Sequence, residues 1–157
     1  MPQNQETRDL VAKMKLIPIR AMIDGKRILF CEDSIVRGTQ LKDNIQILFD
    51  YGASEVHMRP ACPTLIFPCE FLNFSTSRST LDLAGRSVIN GIEGREDISM
   101  DEYLIPGSEK YIEMIERIRQ SLRLTTLQYQ KLADLVDAIG LHKERLCTHC
   151  WDGSSYF

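Results

Sequence analysis

The sequence predicts a single α/β domain built on a parallel sheet flanked by helices, and two observations lead there. The first is composition: 157 residues, 43% hydrophobic and 26% charged, suffice to bury one real core and exclude a disordered chain. The second is the order of its patterns. An apolar run at Arg27-Ile28-Leu29-Phe30-Cys31 precedes a helical stretch, and Glu55-Val56-His57-Met58 then reads as another strand. Strand, helix and strand within about thirty-five residues form one βαβ unit, whose strands are parallel and whose crossover is almost always right-handed.

Taken in order, residues 2–14 read as a short helix with Leu10, Val11 and Met14 on one face, ended by Pro18. The run at 27–31, bounded by Gly25 and by acids, has the character of a strand buried on both faces. Leu41, Ile45 and Leu48 then recur at helical spacing, and Gly52 supplies the stop. Residues 59–78 hold three prolines and two cysteines and read as an irregular, packed loop. A short helix follows Ser79 or Thr80, and Gly85, Gly91 and Gly94 break up what comes next. From Ser108 a longer helix is predicted, with Tyr111, Ile112, Ile115 and Ile118 inward and Glu113, Glu116, Arg117 and Arg119 outward. Residues 121–126 suit a short strand. Thr126 can cap a final helix carrying Leu132, Leu135, Val136 and Ile139 and ending at Gly140. The domain therefore spans 1–140, and 141–157 form a tail ending in CTHCWDGSSYF.

Electrostatics and cysteine usage exclude several function classes. Nineteen Lys and Arg against 22 Asp and Glu give a net charge of -3, and the pI is near 5.6, so no bulk field recruits nucleic acid or an anionic membrane. No apolar run is long enough to span a bilayer, and the opening MPQNQETRD is polar, so a cytoplasmic location is expected. The cysteines, at 31, 62, 69, 147 and 150, are odd in number and uneven in spacing, which favours free thiols or metal ligands over a disulfide framework. Cys31 reads as a small buried residue in a core strand, and Cys62 has no assigned role. His57 and His142 lack spaced partners; Arg117, Arg119 and Arg123 are interleaved with glutamates and read as a solvated face. Trp151 either packs over the terminal cysteines or hangs loose.

The chemistry is concentrated at Ile28 to Gln40, ILFCEDSIVRGTQ. Parallel sheets bind ligands at the carboxyl ends of their strands, and that end carries Glu32 and Asp33 here. The following helix N-terminus, near Gly38, Thr39 and Gln40, offers backbone N–H groups and a positive dipole end to a phosphate. Ser34 and Thr39 add hydroxyls and Arg37 adds charge. Two carboxylates beside a phosphate nest suit a ligand with both phosphate and hydroxyls, or a bound magnesium ion. Neither Gly-x-Gly-x-x-Gly nor Gly-Lys-Ser/Thr follows the strand, so the dinucleotide fingerprint and the P-loop are excluded.

Ile28 to Gln40 resembles the thirteen-residue phosphoribosyl-pyrophosphate (PRPP) motif of type I phosphoribosyltransferases, and Glu32-Asp33-Ser34-Ile35-Val36-Arg37-Gly38-Thr39 resembles its form in the amidophosphoribosyltransferase family. The resemblance extends to Met1-Pro2-x-Gln, Lys15-Leu16, Gly52-Ala53-x-Glu55-Val56-His57, Phe67-Pro68-Cys69 and Cys147-x-x-Cys150. It implies a type I phosphoribosyltransferase fold, incomplete at its N-terminal side. It further implies the first step of de novo purine synthesis, in which PRPP and glutamine give 5-phosphoribosylamine, glutamate and pyrophosphate. Glu32 and Asp33 would be the catalytic acids, meeting the ribose and, through PRPP, magnesium. Ser34, Val36, Arg37, Gly38, Thr39 and Gln40 would form the 5'-phosphate pocket. Glu32 departs from the usual Asp of this family while keeping its charge.

The same resemblance implies an iron–sulfur cluster held by Cys69, Cys147 and Cys150, with the fourth ligand upstream of residue 1. It implies purine nucleotides as inhibitors and a homo-oligomeric parent. The glutaminase domain, the pyrophosphate loop and the first strands of the sheet would also lie upstream, leaving a fragment inactive alone with a broken sheet edge. Two alternatives stand beside it: a PRPP-binding regulatory module without chemistry, and a small interaction module organised by metal at the terminal cysteines.

Overall fold

The computed structural model describes residues 17–71, 80–95 and 97–154, apart from the side chains of Thr39, Gln40 and Thr80. The helix expected over 2–14 and the resemblance at Met1-Pro2 and Lys15-Leu16 lie outside the described residues. A short helix α1 (Arg20–Ile23) leads into strand β1 (Arg27–Glu32), helix α2 (Thr39–Asp50) and strand β2 (Glu55–Pro60). After the loop and a 3-10 turn at Thr80–Asp82 come α3 (Ala84–Glu93), α4 (Asp101–Leu104) and α5 (Glu109–Ser121). Strand β3 (Thr126–Leu127), helix α6 (Leu132–Ile139), a 3-10 turn at Lys143–Arg145 and helix α7 (His149–Asp152) complete the order.

The three strands form one parallel sheet in the order β1-β2-β3, with Ile28 opposite Val56, Phe30 opposite Met58 and Met58 opposite Leu127. This is the predicted α/β architecture of a parallel sheet with flanking helices. Parallel pairing of β1 and β2 demands a crossover, and α2 supplies it. Its core side includes Ile45 and Leu48, both buried as their spacing predicts.

The sheet is better covered on one face than the other. Val56 and Met58 are fully buried on β2, whereas Leu29 is 61% exposed on β1 and Cys31 is also exposed. The expectation that residues 27–31 are buried on both faces, with Cys31 inside, is therefore corrected. An edge strand has a neighbour on one side only, and nothing among the described residues covers the face of Leu29. A continuous apolar run predicts where a strand can be buried, not whether a layer arrives to bury it.

Three further expectations change. Gly85 and Gly91 lie inside α3, and only Gly94 ends it, in the left-handed conformation. Gly85 is there because α3 comes so close to the 64–66 segment that a Cβ would stand 2.9 Å from the Leu65 carbonyl oxygen. On α5, Met114 and Ile118 are the buried pair, while Ile112 is 57% exposed. Ser108 caps that helix as predicted, its hydroxyl accepting from the Tyr111 amide at 3.1 Å. Thr126, expected to cap the last helix, sits in β3 instead, and α6 begins at Leu132 without a side-chain cap.

The arginine group is a paired, solvated face as expected: Arg117 bonds Glu113 and Arg119 bonds Glu116, while Arg123 reaches Gln46. His57 is satisfied, its Nδ1 2.9 Å from the Thr126 hydroxyl and its Nε2 2.8 Å from Glu55. No helix among the described residues is long and apolar enough to cross a membrane.

Candidate functional site

The βαβ unit places the acidic pair at the carboxyl end of β1. Glu32 closes the strand opposite Pro60, and its carbonyl accepts from the Ala61 amide at 2.8 Å. Asp33 is exposed, the first residue of the loop that turns into α2. Its Oδ1 accepts from the Ser34 amide at 2.6 Å, which leaves the second oxygen available.

The loop is pinned at two points. Ile35 is buried in the main core, and the Val36 carbonyl accepts from the Ala84 amide at 2.8 Å, joining the loop to the start of α3. Gly38 then takes φ +75 at the N-cap of α2, a left-handed backbone that glycine reaches at least cost. A Cβ at that position would stand 3.1 Å from Leu122 Cδ2. Since Gly38 has no side chain, no N-cap side chain closes α2, and a helix N-terminus of this kind presents its first-turn amides to anions. Arg37 leans toward Asp82, 3.9 Å away, with both side chains about half exposed. That contact is weak enough to yield to a competing anion. Of the sequence-predicted residues, Thr39 and Gln40 are placed by backbone alone.

The cysteine set converges more closely than its spacing suggests. Cys62, Cys69, Cys147 and Cys150 all line one chamber of about 480 Å³, together with Asp33, Ser34 and Trp151. The tail is clamped against the body: the Ile66 and Phe67 amides both donate to the Cys150 carbonyl, at 3.0 and 3.1 Å. Leu65, Cys69 and Cys150 form a small buried cluster against which Val36 and Trp151 pack. Burial pushes the Cys150 thiol up to about 11, and the neighbouring Cys69 and Cys147 sulfurs push the same way. Burial likewise raises Cys62, with Asp33 adding to it and Trp151 opposing. Among the described residues no three His, Cys, Asp or Glu side chains meet closely enough to hold a single ion.

No family model matches the chain. It is 34% identical over 149 residues to the amidophosphoribosyltransferase of Methanothermobacter thermautotrophicus, covering 95% of this chain and 26% of that protein. It is 31% identical over 150 residues to the amidophosphoribosyltransferase of Mycobacterium bovis, covering 96% of this chain and 24% of that one. The chain is similar to amidophosphoribosyltransferases. Its fold matches the glutamine PRPP amidotransferase of B. subtilis complexed with ADP and GMP, with a TM-score of 0.64 at 22% identity, over 99% of this chain and 29% of that structure. It therefore spans about a quarter of the length of the curated relatives it matches.

Against the amidophosphoribosyltransferase resemblance, the structure brings together more than the sequence assigned. Cys69 lies with Cys147 and Cys150 although nearly eighty residues separate them, and Asp33 and Ser34 line the same chamber. Cys62, which has no role assigned from sequence, lines the chamber, and so does Trp151, which packs over the terminal cysteines rather than hanging loose. No short-range pattern could reveal them, because the chamber forms only when the tail folds back onto the 62–69 loop.

Proposed function

We propose that this chain is the part of an amidophosphoribosyltransferase that holds the ribose and 5'-phosphate of PRPP. The observation behind this reading is the junction of β1 and α2: an exposed Asp33 at a strand end, then a left-handed Gly38 at a helix N-terminus that no side chain caps. In the parent enzyme PRPP and glutamine become 5-phosphoribosylamine, glutamate and pyrophosphate, the entry to purine nucleotides. The α2 amides and the hydroxyls of Ser34 and Thr39 take the 5'-phosphate, with Arg37 turning from Asp82 to add charge. Glu32 and Asp33 accept from the ribose hydroxyls. As pyrophosphate leaves the anomeric carbon and ammonia attacks, positive charge grows on the sugar ring, and these carboxylates stabilise it by position rather than by covalent chemistry.

Magnesium is typically held by one or two carboxylates together with substrate phosphates and water, and the exposed Asp33 oxygen suits that arrangement. By the resemblance to amidophosphoribosyltransferases, Cys69, Cys147 and Cys150, which line one chamber, would be the residues that hold an iron–sulfur cluster. Bound there, the cluster would cross-link the 62–69 loop to the tail. Purine nucleotides are the expected inhibitors, in keeping with the ADP and GMP bound to the B. subtilis protein. The chain spans about a quarter of its relatives' length, and within that length it carries the proposed sugar-phosphate site.

Isothermal titration of magnesium-PRPP into the chain and into Asp33→Asn tests the proposal. Asp33 is exposed, so the variant keeps the fold; its affinity should fall roughly tenfold or more. Equal affinities, or none for either protein, would remove Asp33 and the loop from the site.

A further inference from the structure

The proposed phosphate pocket draws its side-chain charge from one residue. Between Ile28 and Gln40 the chain carries a single basic side chain, Arg37. Whatever holds that guanidinium sets how much of its charge a phosphate can use. In this structure Arg37 Nη2 lies 3.9 Å from Asp82 Oδ2, with the two side chains 50% and 44% exposed.

The backbone brings the two residues together. Asp82 ends the 3-10 turn Thr80–Asp82, and two residues on, the Ala84 amide donates to the Val36 carbonyl at 2.8 Å. Arg37 directly follows Val36. Leu83, between Asp82 and Ala84, is fully buried, and a Cβ on Gly85 would stand 2.9 Å from the Leu65 carbonyl oxygen. The start of α3 is therefore anchored on both sides, and it delivers one short carboxylate to the edge of the phosphate loop. With two side-chain torsions, an aspartate keeps its charge close to that anchored backbone.

An arginine paired in this way is contested by two anions, the aspartate and an incoming phosphate. Competition within the protein lowers the affinity for the ligand according to how much of the time Arg37 is held. A half-exposed pair holds weakly, so the reduction is small, about two- to sixfold at low salt. A phosphate offers more charge and a bidentate partner, so it takes the guanidinium once bound.

We propose that Asp82 is a positioning residue of the sugar-phosphate site, which acts through Arg37 by parking its guanidinium beside the empty loop and so loosens the hold on the 5'-phosphate. This rests on the reading of the β1–α2 junction as that site. Titration calorimetry of magnesium-PRPP tests it on the unaltered chain, Asp82→Asn, Arg37→Gln and the double variant, at low salt and at about 0.5 M salt. Both side chains are about half exposed, so the variants should fold, and circular dichroism checks that they do. At low salt Asp82→Asn should bind about two- to sixfold more tightly than the unaltered chain, and the gain should shrink at high salt. Arg37→Gln should bind more weakly, and adding Asp82→Asn to it should change nothing. A merely structural role for Asp82 would not give a gain that depends on Arg37. If Asp82→Asn binds no more tightly than an unaltered chain that does bind, the role of Asp82 is overturned and the site stands. An equal gain in the Arg37→Gln background would overturn it too, because Asp82 would then act by plain repulsion. If neither the unaltered chain nor Asp82→Asn binds, the site reading fails, and the role of Asp82 with it.

Discussion

The amide of Ile66 donates to the carbonyl of Cys150 at 3.0 Å, tying the middle of the chain to its tail. Through Leu65 and Val36 that junction adjoins the phosphate loop, so the proposed substrate site and the cysteine chamber share one small apolar cluster.

Gly153 sits just past this junction at φ +71, where a Cβ would stand 2.8 Å from Phe67 Cζ. Gly153→Ala should destabilise the chain by about 1–3 kcal/mol, combining backbone strain with displacement of the Phe67 ring. Gly94 has a similar φ of +70 with nothing within 4 Å, so Gly94→Ala isolates the backbone part at about 1 kcal/mol. Urea denaturation of the two variants checks the difference; equal losses would mean that Phe67 yields freely.

Asp152 gives the junction a pH dependence. Burial pushes its carboxyl up, but Lys143, Ser154 and Thr148 together outweigh burial and hold it down at about 2. Lys143 Nζ is 2.9 Å away and the Thr148 hydroxyl donates at 2.8 Å. A depressed pKa contributes stability above the ordinary carboxylate value, and that stability is lost as pH falls through about 2. Asp152→Asn should therefore lower stability at pH 7 by roughly 1–2 kcal/mol, with the gap closing between about pH 4 and pH 2. Melting curves across that range measure it, and a gap independent of pH would reject the assignment.

Met114 and Ile112 lie two residues apart on α5, with opposite burial. Met114→Ala should cost about 2–5 kcal/mol, since it removes a fully buried side chain from the core. Ile112→Ala, at a position 57% exposed, should stay within about 1 kcal/mol. Denaturation midpoints of the two variants compare them directly, and similar losses would contradict the packing of α5.

The sequence by itself determined the βαβ unit, the α5 cap at Ser108 and the acid-loop-glycine order of the proposed site. Each is written in neighbouring residues: apolar period, a capping hydroxyl, a glycine where the backbone must turn left-handed. Tertiary structure decided the rest. Whether Leu29 and Cys31 are covered depends on a layer that the strand itself does not encode. Met114 replaced Ile112 in the core because the packing of α5 against α3, α4 and β3 selects the buried stripe. Cys62 joined the chamber because residues nearly ninety positions apart meet there. Local patterns specify elements through short-range sterics and hydrogen bonds, while a site assembled from distant segments exists only once packing has fixed their relative positions.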